Sequence, residues 1–339
     1  MISVLLAKGM ADNTNNQTTD NSSIFTHQVL PYLYIFIGGV GLILNSLAAW
    51  IFFRVPSDSG MVIYLKNMVV ADLLMLLTIP WRVASEFGLG GWQMRVVVCR
   101  YSAVVFYTSM YVGIVLMGLI SLERYVKVVG HSCYCTHLLQ RVGFAWILAL
   151  LTWGLLLLSM LPNLVLTSKP ADEESSRSCV KLKTQLGKKW HEVSSCFSVA
   201  LFWATFLLMA FCYISIARHF YKSQRRVKQD NSKVYSKSNR SIFSLLGVFF
   251  VCFVPYHICR VSYTLSQSHD SGYTKDTRYI LFQIKEMTLF LAALNVCLDP
   301  VIYFLMCTRF RESLLKKLPL AGGGLGTRSI TIEQSVSKI

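Results

Sequence analysis

Asn295-Val296-Cys297-Leu298-Asp299-Pro300-Val301-Ile302-Tyr303 places an amide, a carboxylate, a proline and a phenol inside an apolar run from about Met287 to Met306. A run of that length suits a helix that crosses a bilayer. A carboxylate near its middle costs on the order of 3 kcal/mol there. The proline releases a backbone carbonyl and bends the helix. Such groups persist where they face a polar interior and serve a mechanism; a helix kinked only for packing is the plainer alternative.

The rest of the chain extends this reading. Of its 339 residues 54% are hydrophobic and only 15% charged, where a soluble protein carries about a quarter charged. Six further apolar runs precede the quoted one. The spans are expected at 30–53, 62–87, 98–128, 142–166, 193–216, 242–265 and 280–306, each long enough to cross about 30 Å of hydrocarbon at about 1.5 Å per residue. Continuous apolar character argues against a β-barrel, whose strands alternate. The expected fold is an all-α membrane protein, a seven-transmembrane helix bundle. The net charge of +16 does not point to nucleic acid, because the basic residues lie between oily segments and not on one soluble domain.

Loop charge sets the expected orientation. Arg218, Lys222, Arg225, Arg226, Lys228, Lys233, Lys237 and Arg240 stand against Asp230 alone between the fifth and sixth spans, which makes that loop cytoplasmic. The N-terminus is then extracellular and the C-terminus cytoplasmic. Two glycosylation sequons, at Asn16 and Asn21, agree with this topology. The first ten residues carry no clear cleavage site, so no signal peptide is read and the first span serves as the targeting signal. The domain reading is an extracellular segment 1–29, the helical domain 30–306, an amphipathic helix 307–318 on the inner leaflet and a disordered cytoplasmic tail 319–339. The amphipathic helix interleaves Arg309, Arg311, Lys316 and Lys317 with Phe310, Leu314 and Leu315. Cys307 at its start is either palmitoylated or an unmodified buried thiol. Ser329, Thr331 and Ser335 in the tail are weak candidates for phosphorylation.

Other function classes find little support. No internal repeat favours a transporter. No nucleophile–base pair or cofactor motif favours an enzyme, and no cofactor is expected. Cys133 and Cys135, with His131 and His137 nearby, read as reduced thiols and not as a metal site.

What remains is one polar landmark per helix: Asn45, Asp72, Trp153 and Pro255, with Asp299, Pro300 and Tyr303. Glu123-Arg124-Tyr125 closes the inner end of the third span. With Cys99, Cys179, the run Phe249–Pro255 and the trailing amphipathic helix, this ordered set resembles the rhodopsin-like G protein-coupled receptors over nearly the whole chain. Glu123 replaces the usual Asp of that family, Phe253 the usual Trp and Asp299 the usual Asn. Thr205 stands where the fifth span often has proline. Phe253 with Pro255, Asp299 with Pro300, His257-Ile258-Cys259-Arg260 and Lys285-Glu286 resemble the purinergic nucleotide receptors. Ile63-Tyr64-Leu65-Lys66-Asn67, Phe106-Tyr107, Leu186–His191 and Val261–Gln267 narrow the likeness to the branch of the ADP and UDP-glucose receptors and their orphan relative.

The resemblance implies a Cys99–Cys179 disulfide, which would hold Lys181 and Lys183 over the helix mouth. It implies Tyr107, Lys183, His191, Arg260, Tyr263 and Lys285 as ligand contacts, with Tyr256 and His257 on the walls. Independently of the family, cations around a partly dry cavity suit a diphosphate, Arg through its fork and Lys as a movable charge. Tyr107, Tyr256 and Tyr263 offer rings to a base. The alternative is that these cations only meet headgroups or pair with Glu286, Asp172, Glu173 and Glu174. Ser195 and Ser198 differ from the ADP receptors. The chain has no cysteine before Cys99 and none between Cys259 and Cys297, so the second outer disulfide common in nucleotide receptors is missing.

The expected partners are an extracellular anionic small molecule (a nucleotide or nucleotide sugar), a heterotrimeric G protein of the inhibitory class and membrane lipid. UDP-sugars rank slightly ahead of ADP. A lysophospholipid using the same cations is the second reading, and a small-molecule transporter the third. In the mechanism the resemblance implies, the sixth and seventh helices bend at Phe253, Pro255, Asp299 and Pro300. Arg124 leaves Glu123 and meets Tyr213 and Tyr303, beside Tyr125. Asp72, Asn295 and Asp299 form a sodium site.

Overall fold

The computed structural model describes residues 25–54, 56, 58–129, 141–226, 232–266 and 272–317. The sequons at Asn16 and Asn21, the thiols Cys133 and Cys135, and the tail 319–339 lie outside the described residues. Those residues contain seven helices long and apolar enough to cross a membrane and no strands. In order they are Leu30–Phe52, Gly60–Glu86, Gly91–Val128, Val142–Leu166, Gln185–Arg226, Ser232–Ser266 and Lys275–Met306, hereafter the first to seventh helices. A short helix, Thr308–Lys317, follows.

Local chemistry starts these helices. Ser59, in extended backbone, accepts from the Val62 N–H at 3.4 Å and caps the second helix. Thr274 does the same for the Thr277 N–H at 3.2 Å, with Asp276 in the first turn of the seventh. The third helix is the central pillar: 72% of its apolar stretch is buried inside the protein, against 28% for the fourth. Polar groups on the third helix therefore face neighbouring helices, while the fourth mostly faces lipid. Trp153 ties that peripheral helix in by donating from Nε1 to Asn67 Oδ1 at 3.0 Å.

The third, fifth, sixth and seventh helices all begin before the expected spans, at Gly91, Gln185, Ser232 and Lys275, and two differences have a local cause. The fifth helix begins at Gln185, a turn or two before the apolar run, because helical backbone continues through the polar residues Lys188, Lys189 and His191. Gly187 permits this start, since a Cβ there would sit 2.5 Å from the Leu166 carbonyl oxygen. The seventh helix divides into Lys275–Ala293 and Asn295–Met306. Pro300 has no N–H for the carbonyl four residues back, Val296. Asn45 supplies the missing donor, its Nδ2 reaching Val296 O at 2.6 Å.

At the inner end Phe310 stacks on Phe52 with centroids 5.0 Å apart, and Arg309 pairs with Asp58 at 2.5 Å. Both hold the short helix against the base of the first. Cys307 is 3% exposed and burial raises its thiol pKa. This is the environment of the unmodified thiol; acylation there would require the joint after Met306 to open.

Candidate functional site

The outer halves of the helices enclose a cavity of about 410 Å³. The Cys99–Cys179 disulfide fixes its lid, with Cα atoms 5.3 Å apart. Of the residues expected to contact ligand, Tyr107, Lys183, His191, Tyr256, Arg260, Tyr263 and Lys285 all line this cavity. His257 is the exception. It is fully buried behind the wall, stacked on Phe202 with centroids 3.7 Å apart. Nδ1 lies 2.7 Å from the Phe253 carbonyl, which can only accept, so Nδ1 carries the proton. Nε2 is left to accept from the Tyr111 hydroxyl at 3.1 Å. Both ring nitrogens are spent, and His257 supports Tyr111 without itself facing the cavity.

Lys181 is the second correction. It follows Cys179 as expected but turns outward, pairing with Glu174 at 3.3 Å on the surface. Lys183 turns inward and lines the cavity.

The cavity has two electrostatically different ends. At one, Arg260 donates from Nη2 to Ser195 Oγ at 3.1 Å and lies 5.5 Å from the Tyr107 ring centroid. Lys183 Nζ is 3.3 Å from Asn163 Oδ1 and 3.4 Å from Thr167 Oγ1. Neither cation has a carboxylate partner among the described residues. Burial first, and the Arg260 charge second, lower the Lys183 pKa to about 8. At the other end Glu286 is paired with both Arg82 and Lys285. Lys285 also lies over the Phe282 and Tyr263 rings at 4.8 and 5.1 Å. Glu86 lines the same end. Lys285 is therefore largely neutralised, whereas Arg260 and Lys183 are not.

Sequence reasoning overlooked Arg82, Glu86, Tyr111 and Asn163 as wall residues. Arg82, two residues past Pro80 within an expected span, was the detectable one, since an intramembrane charge marks a site by itself.

The inner end holds the second cluster. Glu123 is buried, and its carboxylate pairs with Lys127 at 2.7 Å, one helical turn on. That ion pair differs from the expected bond to Arg124. A Cβ at Gly60 would sit 2.9 Å from Glu123 Oε2, so glycine gives the carboxylate its space. Ser121 donates to the Met117 carbonyl at 2.8 Å, which leaves the Tyr213 hydroxyl to donate to Ser121 Oγ at 2.9 Å. Tyr303 donates to Asp72 Oδ2 at 2.6 Å. Both tyrosines thus spend their protons away from Arg124. Asn295 Nδ2 lies 3.4 Å from Asp299 Oδ2, and Oδ1 of each residue is buried without a hydrogen-bond partner. These oxygens belong to the residues expected to form a sodium site. Phe253 packs edge-on against Phe249 at 5.4 Å, directly inward of Pro255.

A seven-helix bundle with an outer cavity and an Arg-bearing inner end is the architecture of a signalling receptor. Residues 44–303 match the family model described as 7 transmembrane receptor (rhodopsin family). Purinoceptor 14 of Bos taurus is 45% identical over 298 residues, covering 88% of this chain and 88% of that protein. The G-protein coupled receptor 87 of Mus musculus is 40% identical over 337 residues, covering 97% of this chain and 92% of the relative. Purinoceptor 13 of Homo sapiens is 41% identical over 301 residues, covering 89% of this chain and 83% of the relative. The chain belongs to the rhodopsin family of G protein-coupled receptors, in its purinergic branch, and is not an enzyme.

Proposed function

We propose that this receptor binds an extracellular nucleoside diphosphate, a UDP-sugar ahead of ADP, and signals through an inhibitory G protein. One observation carries the reading: Arg260 and Lys183 face a common cavity with no carboxylate between them. Buried cations without countercharge favour a ligand that brings the negative charge. Tyr107, half-buried beside Arg260, offers its ring to a base, and the fully buried Tyr256 stacks against it with centroids 6.4 Å apart. The far end, where Glu286 neutralises Arg82 and Lys285, offers carboxylate acceptors to sugar hydroxyls, which a nucleotide sugar has there and ADP does not. That asymmetry ranks a nucleotide sugar above ADP.

In this reading residues 1–29 lie outside the cell and 319–339 inside, and the receptor resides in the plasma membrane. Phosphates drawn to Arg260 pull the sixth helix, which bends at Pro255, while the seventh bends at Pro300. Tyr303 then leaves Asp72, Tyr213 leaves Ser121, and both turn toward Arg124 as a cleft opens for the G protein. The ligand shifts this balance only through its differential affinity for the two states. Asp72, Asn295 and Asp299 are the residues that would hold sodium; its charge would offset one of the two carboxylates while the helices stay closed.

The test is a cyclic AMP assay with ADP, UDP, UDP-glucose and lysophosphatidic acid on the receptor and on Arg260→Ala. A lowering of cyclic AMP by a nucleotide, lost in the variant, is the expected result. A response to lysophosphatidic acid alone contradicts it.

A further inference from the structure

Lys183 owes its place to the end of the fourth helix. Thr184 N–H donates to the Leu166 carbonyl at 3.0 Å, and Lys169 N–H to the Leu182 carbonyl at 3.2 Å, so the loop after Cys179 is clamped to that helix end. The Asn163 amide is oriented by its neighbours. Its Nδ2 donates toward Ser194 Oγ at 3.4 Å, which turns Oδ1 to Lys183. The Thr167 hydroxyl donates to the Asn163 carbonyl at 2.6 Å, so its free lone pair faces Lys183. The ammonium thus meets two neutral oxygens that can only accept from it.

The charged and titratable groups around Lys183 are Arg260 from the sixth helix and His191 from the fifth, with Tyr107 and Tyr111 across the cavity from the third. The loop itself contributes Lys181, already paired with Glu174 at the surface. No group of opposite charge offsets the burial of Lys183 among the described residues.

We propose that Asn163 and Thr167 are positioning residues, which keep the Lys183 ammonium charged and aimed into the cavity beside Arg260, and so set the pH above which an anionic agonist is lost. The proposal rests on the anionic reading of the cavity. An acceptor bonded to the charged form of a group favours that form. Removing the acceptor should lower the pH at which Lys183 loses its proton, and replacing it with a carboxylate should raise it. A purely structural asparagine would not move that midpoint in opposite directions.

The experiment uses the full-length receptor in lipid nanodiscs, with lysines carrying ¹³C-methyl groups and the Lys183 resonance assigned by its loss in Lys183→Arg. The wild-type titration midpoint is expected at about 8. Asn163→Leu should lower it by about one unit, Thr167→Val should lower it less, and Asn163→Asp should raise it by about one unit or more. Midpoints unchanged in all three variants overturn the proposal. UDP-glucose or ADP should raise the wild-type midpoint. If the variants shift it while neither nucleotide does, and lysophosphatidic acid also fails, the anionic reading falls, and with it the agonist half of the proposal.

Discussion

Asn45 donates to the Val296 carbonyl, the one that Pro300 deprives of its helical donor. The first helix thereby repairs the seventh at the point where its two segments join. A side chain and a proline far apart in sequence act as one unit: the bend exists because Pro300 makes it, and it is tolerated because Asn45 satisfies it.

Asn45→Leu leaves that carbonyl unbonded in a dry interior. The expected cost is about 1–3 kcal/mol, visible as a lower melting temperature of the purified receptor. An unchanged melting temperature would mean that water or another donor takes the place of Asn45.

Glu286→Gln strands Arg82 and Lys285 in a buried setting. Breaking a buried pair on one side costs about 3–5 kcal/mol, so surface expression should fall sharply. Adding Arg82→Met and Lys285→Met should recover much of it. Normal expression of the single variant would show that Glu286 does not hold the two cations.

The Lys183 proton gives two opposite pH effects. The folded chain sheds it at about 8, while the unfolded chain keeps it until about 10.5. Between those values the unfolded state binds more protons, so this group's contribution makes stability rise with pH. Affinity for an anionic agonist should fall over the same window as the charge disappears. Lys183→Arg, which does not titrate there, should flatten the affinity profile. Parallel profiles in the two receptors above pH 8 would exclude Lys183 as the cause.

Arg124→Ala should abolish most G protein activation while agonist binding persists, because Arg124 lies at the inner end and the cavity at the outer. Radioligand binding together with GTPγS exchange separates the two. Full exchange in the variant would remove Arg124 from the mechanism.

The seven helices were legible because each apolar run is long and little interrupted by charge. The limits of the fifth were not, because polarity ends at the membrane surface while helical backbone does not. The outward turn of Lys181 and inward turn of Lys183 depend on how the loop clamps to Leu166, which residue type cannot convey. His257 read as a wall residue from the family likeness, yet its two nitrogens are claimed by Phe253 and Tyr111. Arg82 was passed over because a charge near the expected end of a span reads as a boundary. The likeness to nucleotide receptors named several of the charged and aromatic groups that line the cavity; it did not disclose that Glu286 neutralises one end and leaves the other positive.

Equilibrium binding of UDP-glucose and ADP to purified receptor and to Arg260→Ala is the most direct test of the anionic cavity. At least one nucleotide should bind the wild type and lose about tenfold or more in affinity in the variant, the scale of a charged hydrogen bond. Equal affinity in the two proteins, with the variant normally folded, would contradict the account.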